Sequence, residues 1–362
     1  MKKKVVVGMS GGVDSSVAAF LLKEHGFDVV GVTMRIWQEQ NGEAGNSIER
    51  EGSCCGISAA EDARRVAAQL GIPFYVMDFR EEFDKNVIQY FINEYRMGRT
   101  PNPCIACNRY VKWESLLNRS MAIGADYIAT GHYARIARLP NGRFALKKSA
   151  TDKKDQTYAL YNLTQEQLGR TLFPVGDYEK ESIRKIAREA GLQTADKPDS
   201  QEICFVPDHD YAGFIRRETG EEECPGNFVT KDGTVLGQHK GISHYTVGQR
   251  KGLNLAFGRP VFVTKICPDT NEVVIGTNDD LMVTEFRAGH MNYMAKERFE
   301  PGQRMAAKIR YAHAGETCEV TDISADGDCV SIRFDKPVRA ITPGQAAVFY
   351  DGSYVLGGGT IL

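Results

Sequence analysis

Lys4-Val-Val-Val-Gly8, running straight into Met9-Ser-Gly-Gly-Val-Asp-Ser-Ser16, decides the fold of this chain. Val5, Val6 and Val7 are β-branched and suit a buried strand. Gly11 and Gly12 permit a tight turn and let a ligand approach the backbone. From Ser15 onward Val17, Ala18, Leu21 and Leu22 recur at helical spacing, and Gly26 suits the stop. A glycine turn that opens a helix offers unpaired backbone N–H groups to an anion. Ser10, Ser15 and Ser16 add hydroxyl donors, and Asp14 is a candidate ligand for magnesium.

No Gly-Lys-Ser/Thr follows, so this is not a Walker loop, and it is not the dinucleotide Gly-x-Gly-x-x-Gly. The segment resembles the pyrophosphate loop (PP-loop) of the ATP pyrophosphatases, Ser-Gly-Gly-x-Asp-Ser. Those enzymes adenylate an oxygen with ATP and release pyrophosphate. An ordinary strand–turn–helix connection is the plainer reading. Two serines, two glycines and an aspartate in that order weigh against it.

The alternation of strand and helix continues outward from the loop. Residues 28–34 read as a strand, 41–53 as a polar loop, and Ser58-Ala-Ala-Glu61 as a capping box opening a helix through Leu70. Residues 72–78 and 125–130 read as strands and 81–97 as a helix. This pattern predicts an α/β fold, a doubly wound parallel sheet, over residues 1–207. Ligands of such sheets bind beyond the carboxyl ends of the strands. That places the loops after Val7, Met34 and Thr130 around one pocket. Residues 208–278, rich in Gly, Asp and Glu, predict a small linking domain. Short strands with hairpin turns near 313–316, 325–328 and 351–353 predict a C-terminal β-barrel over 279–362.

Composition narrows the function classes. With 362 residues there is room for two or three domains, and 45 Lys plus Arg against 47 Asp plus Glu give a net charge of -2. A globally basic nucleic-acid binder is not indicated. The local clusters Lys147-Lys148 and Lys153-Lys154 read as a solvated face. No apolar run approaches membrane-spanning length, and the run behind Met1–Lys4 ends at Val7. A cytoplasmic protein with no membrane partner is expected. Nine cysteines then read mostly as reduced thiols. Cys267, Cys318 and Cys329 read as buried small hydrophobes, and Cys224 carries no role. Cys54 and Cys55 read as loop thiols, since adjacent cysteines ligate one metal poorly. Trp37 and Trp113 read as packing residues.

The second strong signal is Thr100-Pro-Asn-Pro-Cys104-Ile-Ala-Cys107-Asn108. Prolines at 101 and 103 disfavour helix before Cys104 and predict an extended loop. Cys-x-x-Cys spacing lets both sulfurs face one centre, and a third thiol, Cys204, lies just after the α/β region. The readings are unrelated thiols, structural zinc, a redox pair, or sulfur handling by persulfide or iron–sulfur cluster. Zinc lacks a fourth ligand at suitable spacing.

Together the motifs resemble the bacterial tRNA-specific 2-thiouridylase family along essentially the whole chain. They are Gly8-Met-Ser-Gly-Gly-Val-Asp-Ser15, Gly98-Arg-Thr-Pro-Asn-Pro103 with Cys107-Asn108, Ala129-Thr-Gly-His-Tyr-Ala134 and Lys154-Asp-Gln156. Lys197-Pro-Asp-Ser-Gln-Glu-Ile-Cys-Phe205, Thr246-Val-Gly-Gln-Arg-Lys-Gly252 and Thr342-Pro-Gly-Gln345 complete the set. Each short motif is weak, but their order is specific.

The resemblance implies ATP-dependent thiolation of the wobble uridine at C2 in the tRNAs for Lys, Glu and Gln. It implies that Gly8, Met9, Ser10, Gly11, Gly12, Val13, Asp14 and Ser15 bind the ATP phosphates with magnesium, and that Met34 and Gly131 lie by the adenosine. Asn102, Pro103 and residue 104 would meet the target base. His132, Lys154, Asp155, Gln156, Arg310, Tyr311 and Gln345 would contact tRNA. Cys107 and Cys204 take the family's catalytic cysteine positions, with a cysteine desulfurase or sulfur-relay protein as donor.

One departure stands out. The commoner family pattern carries aspartate where this chain has Cys104. A thiol there adds a soft ligand, so Cys104, Cys107 and Cys204 are candidate ligands of a 4Fe–4S cluster, against a Cys204 persulfide resolved by Cys107. Two other function classes compete. An amidating ATP pyrophosphatase acting on a small molecule would not need these cysteines. A non-catalytic RNA-binding protein would not need the intact loop.

Overall fold

The computed structural model describes residues 2–36, 57–198 and 203–362. Trp37, the 41–53 loop, Cys54 and Cys55 lie outside the described residues. The chain divides into two compact units. One comprises Met1–Ile88, Cys104–Pro207 and Ser353–Val355, and the other Gln89–Pro103, Asp208–Gly352 and Leu356–Leu362. Gln89–Pro103, within the expected 1–207 domain in sequence, groups by compactness with residues of the second unit.

The first unit is built on a parallel sheet of β1 (Lys4–Gly8), β2 (Asp28–Arg35), β3 (Phe74–Asp78), β4 (Tyr127–Thr130) and β7 (Thr171–Leu172). β5 (Ala134–Arg138) and β6 (Phe144–Lys148) form an antiparallel hairpin outside that sheet, and Lys147 of β6 pairs with Tyr354. The strand order is β3-β2-β1-β4-β7, with β1 parallel to both neighbours. Val5, Val6 and Val7 are all fully buried, so both faces of β1 are covered. On one face Val5 and Val7 pack with α1 (Val13–Glu24), α2 (Ile57–Leu70) and the helix Lys180–Glu189. The chain runs from β1 to β2 on one side, while β4 lies on the other. This reversal opens a crevice at the carboxyl ends of β1 and β4.

Two local expectations change. The second helix is already helical at Ile57, so Ser58 lies inside it and is not the cap. The cysteine motif is helical rather than extended: a helical run begins at Pro103 and continues through a π-helical stretch, Cys107–Leu116, to Ala122. Proline disfavours helix before itself but is pre-organised for the first helical position.

In the second unit β8 (Gly226–Val229), β9 (Val235–His239), β10 (Phe262–Cys267) and β11 (Glu272–Gly276) form a four-stranded sheet in the order β10-β11-β8-β9. Phe228, Tyr245, Leu253, Val263 and Val273 are its core. The C-terminal strands are β12 (Met282–Tyr293), β13 (Arg304–Lys308), β14 (Glu316–Ile323), β15 (Val330–Arg339), β16 (Ala346–Asp351) and β17 (Tyr354–Ile361). Pairing of β12 with β17 closes them into a six-stranded barrel. The strands are not uniformly short. β12 spans 12 residues and bends at register shifts between Val283 and Glu285 and between Gly289 and Asn292, which let one strand turn around the barrel.

Candidate active site

The glycine loop lies at the crevice. Gly12 is the extended N-cap of α1, and no side chain caps the helix. The first-turn N–H groups therefore have no side-chain acceptor and suit a polyphosphate. The serines shape the loop. Ser15 Oγ accepts from Ser10 N at 3.2 Å and donates to Gly12 O at 3.1 Å, while Ser16 Oγ donates to Gly12 O at 2.8 Å. Gly11 has φ +67°, and a Cβ there would come within 2.2 Å of Ala59 O. Met9 and Val13 are buried beneath the loop rather than presented from it.

Asp14 is held by two residues that sequence reasoning missed. Lys180 Nζ donates to both carboxylate oxygens at 2.8 Å, and Tyr133 OH donates to Oδ1 at 2.7 Å. Lys180 opens the helix Lys180–Glu189, and its side chain is only 14% exposed. The loop lacks a Walker lysine, and Lys180 brings a cation to the same place from another helix. No local pattern marks it, since 166 residues separate the partners. In this state the carboxylate of Asp14 is engaged by an ammonium and a phenol, so it can turn to a magnesium ion only once Lys180 has moved away.

Gly131 follows β4 and closes on the same turn. A Cβ at residue 131 would lie 2.6 Å from Ser15 N and 2.9 Å from Asp14 Cβ, so glycine allows this approach. Met34, half-buried near the end of β2, pairs in register with Met77. Thr33 Oγ1 donates to Met9 O at 2.7 Å and ties β2 to the loop.

The cysteines sit on firmly anchored backbone. Cys104 is exposed, and Cys107 and Cys204 are partly buried. Next to Cys107, Asn108 Nδ2 donates to Ala159 O at 2.8 Å, and its Oδ1 accepts from Lys112 Nζ at 2.9 Å. Trp113, fully buried as a packing residue, donates from Nε1 to Thr171 Oγ1 at 2.8 Å. Phe205 secures Cys204 by packing edge-on against Phe83, ring centres 5.7 Å apart. Among the described residues no three His, Cys, Asp or Glu side chains gather into a metal-holding group. Cys104, Cys107 and Cys204 thus do not form a ready three-thiolate site for an iron–sulfur cluster.

Of the thiols expected to be buried, Cys318 is, and its pKa is pushed up to about 12 by that burial. Cys267 and Cys329 are only partly buried, and Arg287 Nη2 donates to Cys329 Sγ at 3.2 Å.

The residues expected to touch tRNA divide by environment. His132 packs its ring against both Trp113 and Phe173, and its Nδ1 lies 2.7 Å from Thr130 Oγ1. Burial, with the Lys112 charge, holds it well below the usual histidine range, hence neutral. Asp155 is buried, with its oxygens accepting from Ser149 N at 3.0 Å and Thr157 Oγ1 at 2.6 Å. That arrangement shapes a turn. Gln156 Oε1 accepts from Tyr133 N at 2.8 Å. Lys154 is half-exposed, and Asn102 is partly exposed between buried Pro101 and buried Pro103.

In the second unit Tyr311 is exposed, and Arg310 Nη1 donates to Arg339 O at 3.1 Å. Gln345 turns its amide inward, with Nε2 donating to Thr100 O at 2.9 Å. No described helix is long and apolar enough to cross a membrane.

Comparison with known proteins gives this geometry a family. Residues 3–208 match the tRNA methyl transferase HUP domain, 212–277 the tRNA methyl transferase PRC-barrel domain and 283–361 the aminomethyltransferase beta-barrel domain. The chain is 64% identical over 360 residues to the tRNA-specific 2-thiouridylase MnmA of Lachnoclostridium phytofermentans, covering 99% of each. It is 53% identical over 362 residues to the protein of that name from Clostridioides difficile, covering 100% of this chain and 98% of the relative. A Clostridium perfringens counterpart is 54% identical over 360 residues, 99% of this chain and 98% of the relative. With all three domains matched in order at such identity, the chain belongs to the tRNA-specific 2-thiouridylase family.

Proposed function

We propose that this chain is a tRNA sulfurtransferase that converts the wobble uridine of the tRNAs for Lys, Glu and Gln to 2-thiouridine. The observation that carries it is the uncapped first turn of α1 with Lys180 held against it by Asp14. It is an anion cradle with its own cation, in a chain whose full-length relatives carry the thiouridylase name.

Uridine O2 is a poor leaving group. Its attack on the α-phosphorus of ATP breaks the bond to the β-phosphate oxygen and makes the O2–AMP ester, with pyrophosphate departing. The α1 N–H groups and Lys180 stabilise charge on the β- and γ-phosphates as it grows. In this reading Lys180 leaves Asp14 for phosphate, and Asp14 with Tyr133 guides it there. Gly131 keeps the first turn open to the nucleotide, and Met34 lies by the adenosine.

Sulfur arrives as a persulfide on Cys204, loaded by a cysteine desulfurase or relay protein. The terminal sulfur attacks C2 and AMP leaves. The Cys107 thiolate then attacks Cys204 Sγ, breaking the S–S bond. The products are 2-thiouridine and a Cys107–Cys204 disulfide, reset by an external thiol. The persulfide route is preferred to an iron–sulfur cluster because Cys104, Cys107 and Cys204 are not gathered into one metal-holding group among the described residues. Asn102 and Pro103, with Cys104 next in sequence, meet the base. Lys154 and Gln156, in the turn that Asp155 shapes, and His132 contact the RNA from the first unit, and Arg310, Tyr311 and Gln345 contact it from the second.

ATP–pyrophosphate exchange with and without tRNA tests this reading. Exchange that depends on tRNA supports it. Exchange that ignores tRNA but requires a small acid makes the chain an amidating pyrophosphatase instead.

A further inference from the structure

The helical run that begins at Pro103 carries two thiols on one face. Cys104 and Cys107 lie three residues apart in it, so their side chains are neighbours along the run. Pro103, Ile105, Ala106 and Asn108 are buried, while Cys104 is exposed and Cys107 partly buried. The two thiols share the stripe that reaches solvent, and Cys104 is the more open of the pair. Cys204 is partly buried as well, and all three are reduced.

The spacing suits a bond between the first two. Helical residues three apart have Cβ atoms about 5–6 Å from each other, and a disulfide needs about 3.5–4.5 Å. A shift of about 1–2 Å in one four-residue α turn closes that gap. The winding changes from α to π at Cys107, the kind of junction found at functional sites. Cys107 and Cys204 are held more firmly. Asn108, next to Cys107, is tied to Ala159 O at 2.8 Å, and Phe205, next to Cys204, packs on Phe83. A disulfide between these two half-covered sulfurs offers an external thiol little access, and exchange depends on access.

We propose that Cys104 opens the Cys107–Cys204 disulfide left by each turnover, so that the oxidation ends on the Cys104–Cys107 pair and Cys204 is released for its next sulfur. The proposal rests on the reading of Cys204 as the persulfide carrier and Cys107 as the thiol that resolves it. Cys104 gives its proton to solvent, and its sulfur attacks Cys107 Sγ. The Cys104–Cys107 bond forms, the Cys107–Cys204 bond breaks, and Cys204 leaves as a thiolate. No electrons enter or leave the protein in this exchange. An external thiol then attacks exposed Cys104 and expels the Cys107 thiolate. A second external thiol removes the first as its disulfide, which supplies the two electrons that reset the pair. Cys104 outruns an external thiol at the first step, because a tethered group acts at about millimolar effective concentration and an oriented one at far more.

The test uses full-length protein loaded with persulfide and given ATP and an unmodified tRNA for one turnover without reductant. The reaction is quenched in acid, open thiols are alkylated, and disulfides are mapped by peptide mass spectrometry. The parent is expected to carry Cys104–Cys107 with Cys204 alkylated, and Cys104→Ser to retain Cys107–Cys204. A second readout is the ratio of the multiple-turnover rate to the first-turnover rate, with a monothiol as reductant. The ratio cancels any effect of the substitution on the base-contacting residues beside Cys104. It falls by about tenfold in Cys104→Ser and in Cys104→Ala, and a small phosphine reductant restores it.

A parent that holds Cys107–Cys204 after one turnover with Cys104 alkylated overturns the relay, as does a ratio that Cys104→Ser leaves unchanged. A parent that makes 2-thiouridine with no disulfide among the three cysteines overturns instead the persulfide reading on which the relay rests.

Discussion

Lys180 Nζ stands 2.8 Å from both carboxylate oxygens of Asp14, although the two residues come from different helices at opposite ends of the α/β unit's sequence. This ion pair puts a lysine at a phosphate loop that has none of its own. If Lys180 moves onto the departing pyrophosphate, Lys180→Ala lowers tRNA-dependent ATP–pyrophosphate exchange by about 10²–10³-fold. Lys180→Arg restores part of it, and tRNA affinity stays as in the parent. Asp14→Asn also lowers exchange. The double variant is no worse than Lys180→Ala alone if Asp14 works through Lys180.

Gly131→Ala tests the approach of the β4 loop to α1. The added methyl lies within 3 Å of Ser15 N and Asp14 Cβ by construction, so the first turn must shift. ATP affinity measured by calorimetry falls by about tenfold or more, about 1.4 kcal/mol. A melting temperature close to the parent's, without ATP, distinguishes this from general unfolding.

His132 gives the fold a pH dependence of fixed sign. Its folded-state pKa is depressed by burial and by Lys112, while the unfolded chain has the ordinary value of 6.5. The unfolded state therefore binds a proton that the folded state refuses. The contribution of His132 is fully present above 6.5 and is lost as pH falls from there toward the folded pKa. His239 and His313 shift the same way, so the test is a difference. Melting temperature plotted from about pH 7.5 to about 5.5 has a shallower slope in His132→Asn than in the parent. Equal slopes would show that His132 titrates freely in the folded protein.

Thiol chemistry separates the cysteines by environment. At about pH 8 an alkylating reagent modifies exposed Cys104 in the native protein well before buried Cys318, whose pKa is pushed up to about 12. Peptide mapping reads the order. Cys204→Ser abolishes thiolation and leaves ATP–pyrophosphate exchange intact, because adenylation precedes sulfur transfer. Loss of exchange in Cys204→Ser would place Cys204 in the wrong step.

How far the sequence could be read follows from how local each signal is. Val5–Val7, Gly11 and Gly12 act on their own neighbours, so strand, turn and helix were legible from a dozen residues. Pro103 was misread because proline bars helix upstream but favours it at the first position, and only the backbone beyond Cys104 decides which applies. The barrel strands ran longer than their turn spacing suggested, since bulges let β12 bend without stopping. Lys180 and Tyr133 were invisible, because nothing near them in sequence says that Asp14 is their partner. Asp155 and Gln345 carry polar types that suit RNA, and their bonds to Ser149, Thr157 and Thr100 within the fold had no signal in the sequence.

The central claim is that this chain puts sulfur on C2 of a tRNA uridine at the expense of ATP. Its most direct test supplies purified protein with ATP, an unmodified tRNA for Lys, Glu or Gln and a persulfide donor, and analyses the nucleosides by mass spectrometry. A parallel arm replaces ATP and the donor with S-adenosylmethionine, since two of the matched domains are described as methyl transferase domains. The account predicts 2-thiouridine at the wobble position in the first arm, absent when ATP is withheld, and unchanged uridine in the second. A methylated uridine in the second arm, with no 2-thiouridine in the first, would contradict it.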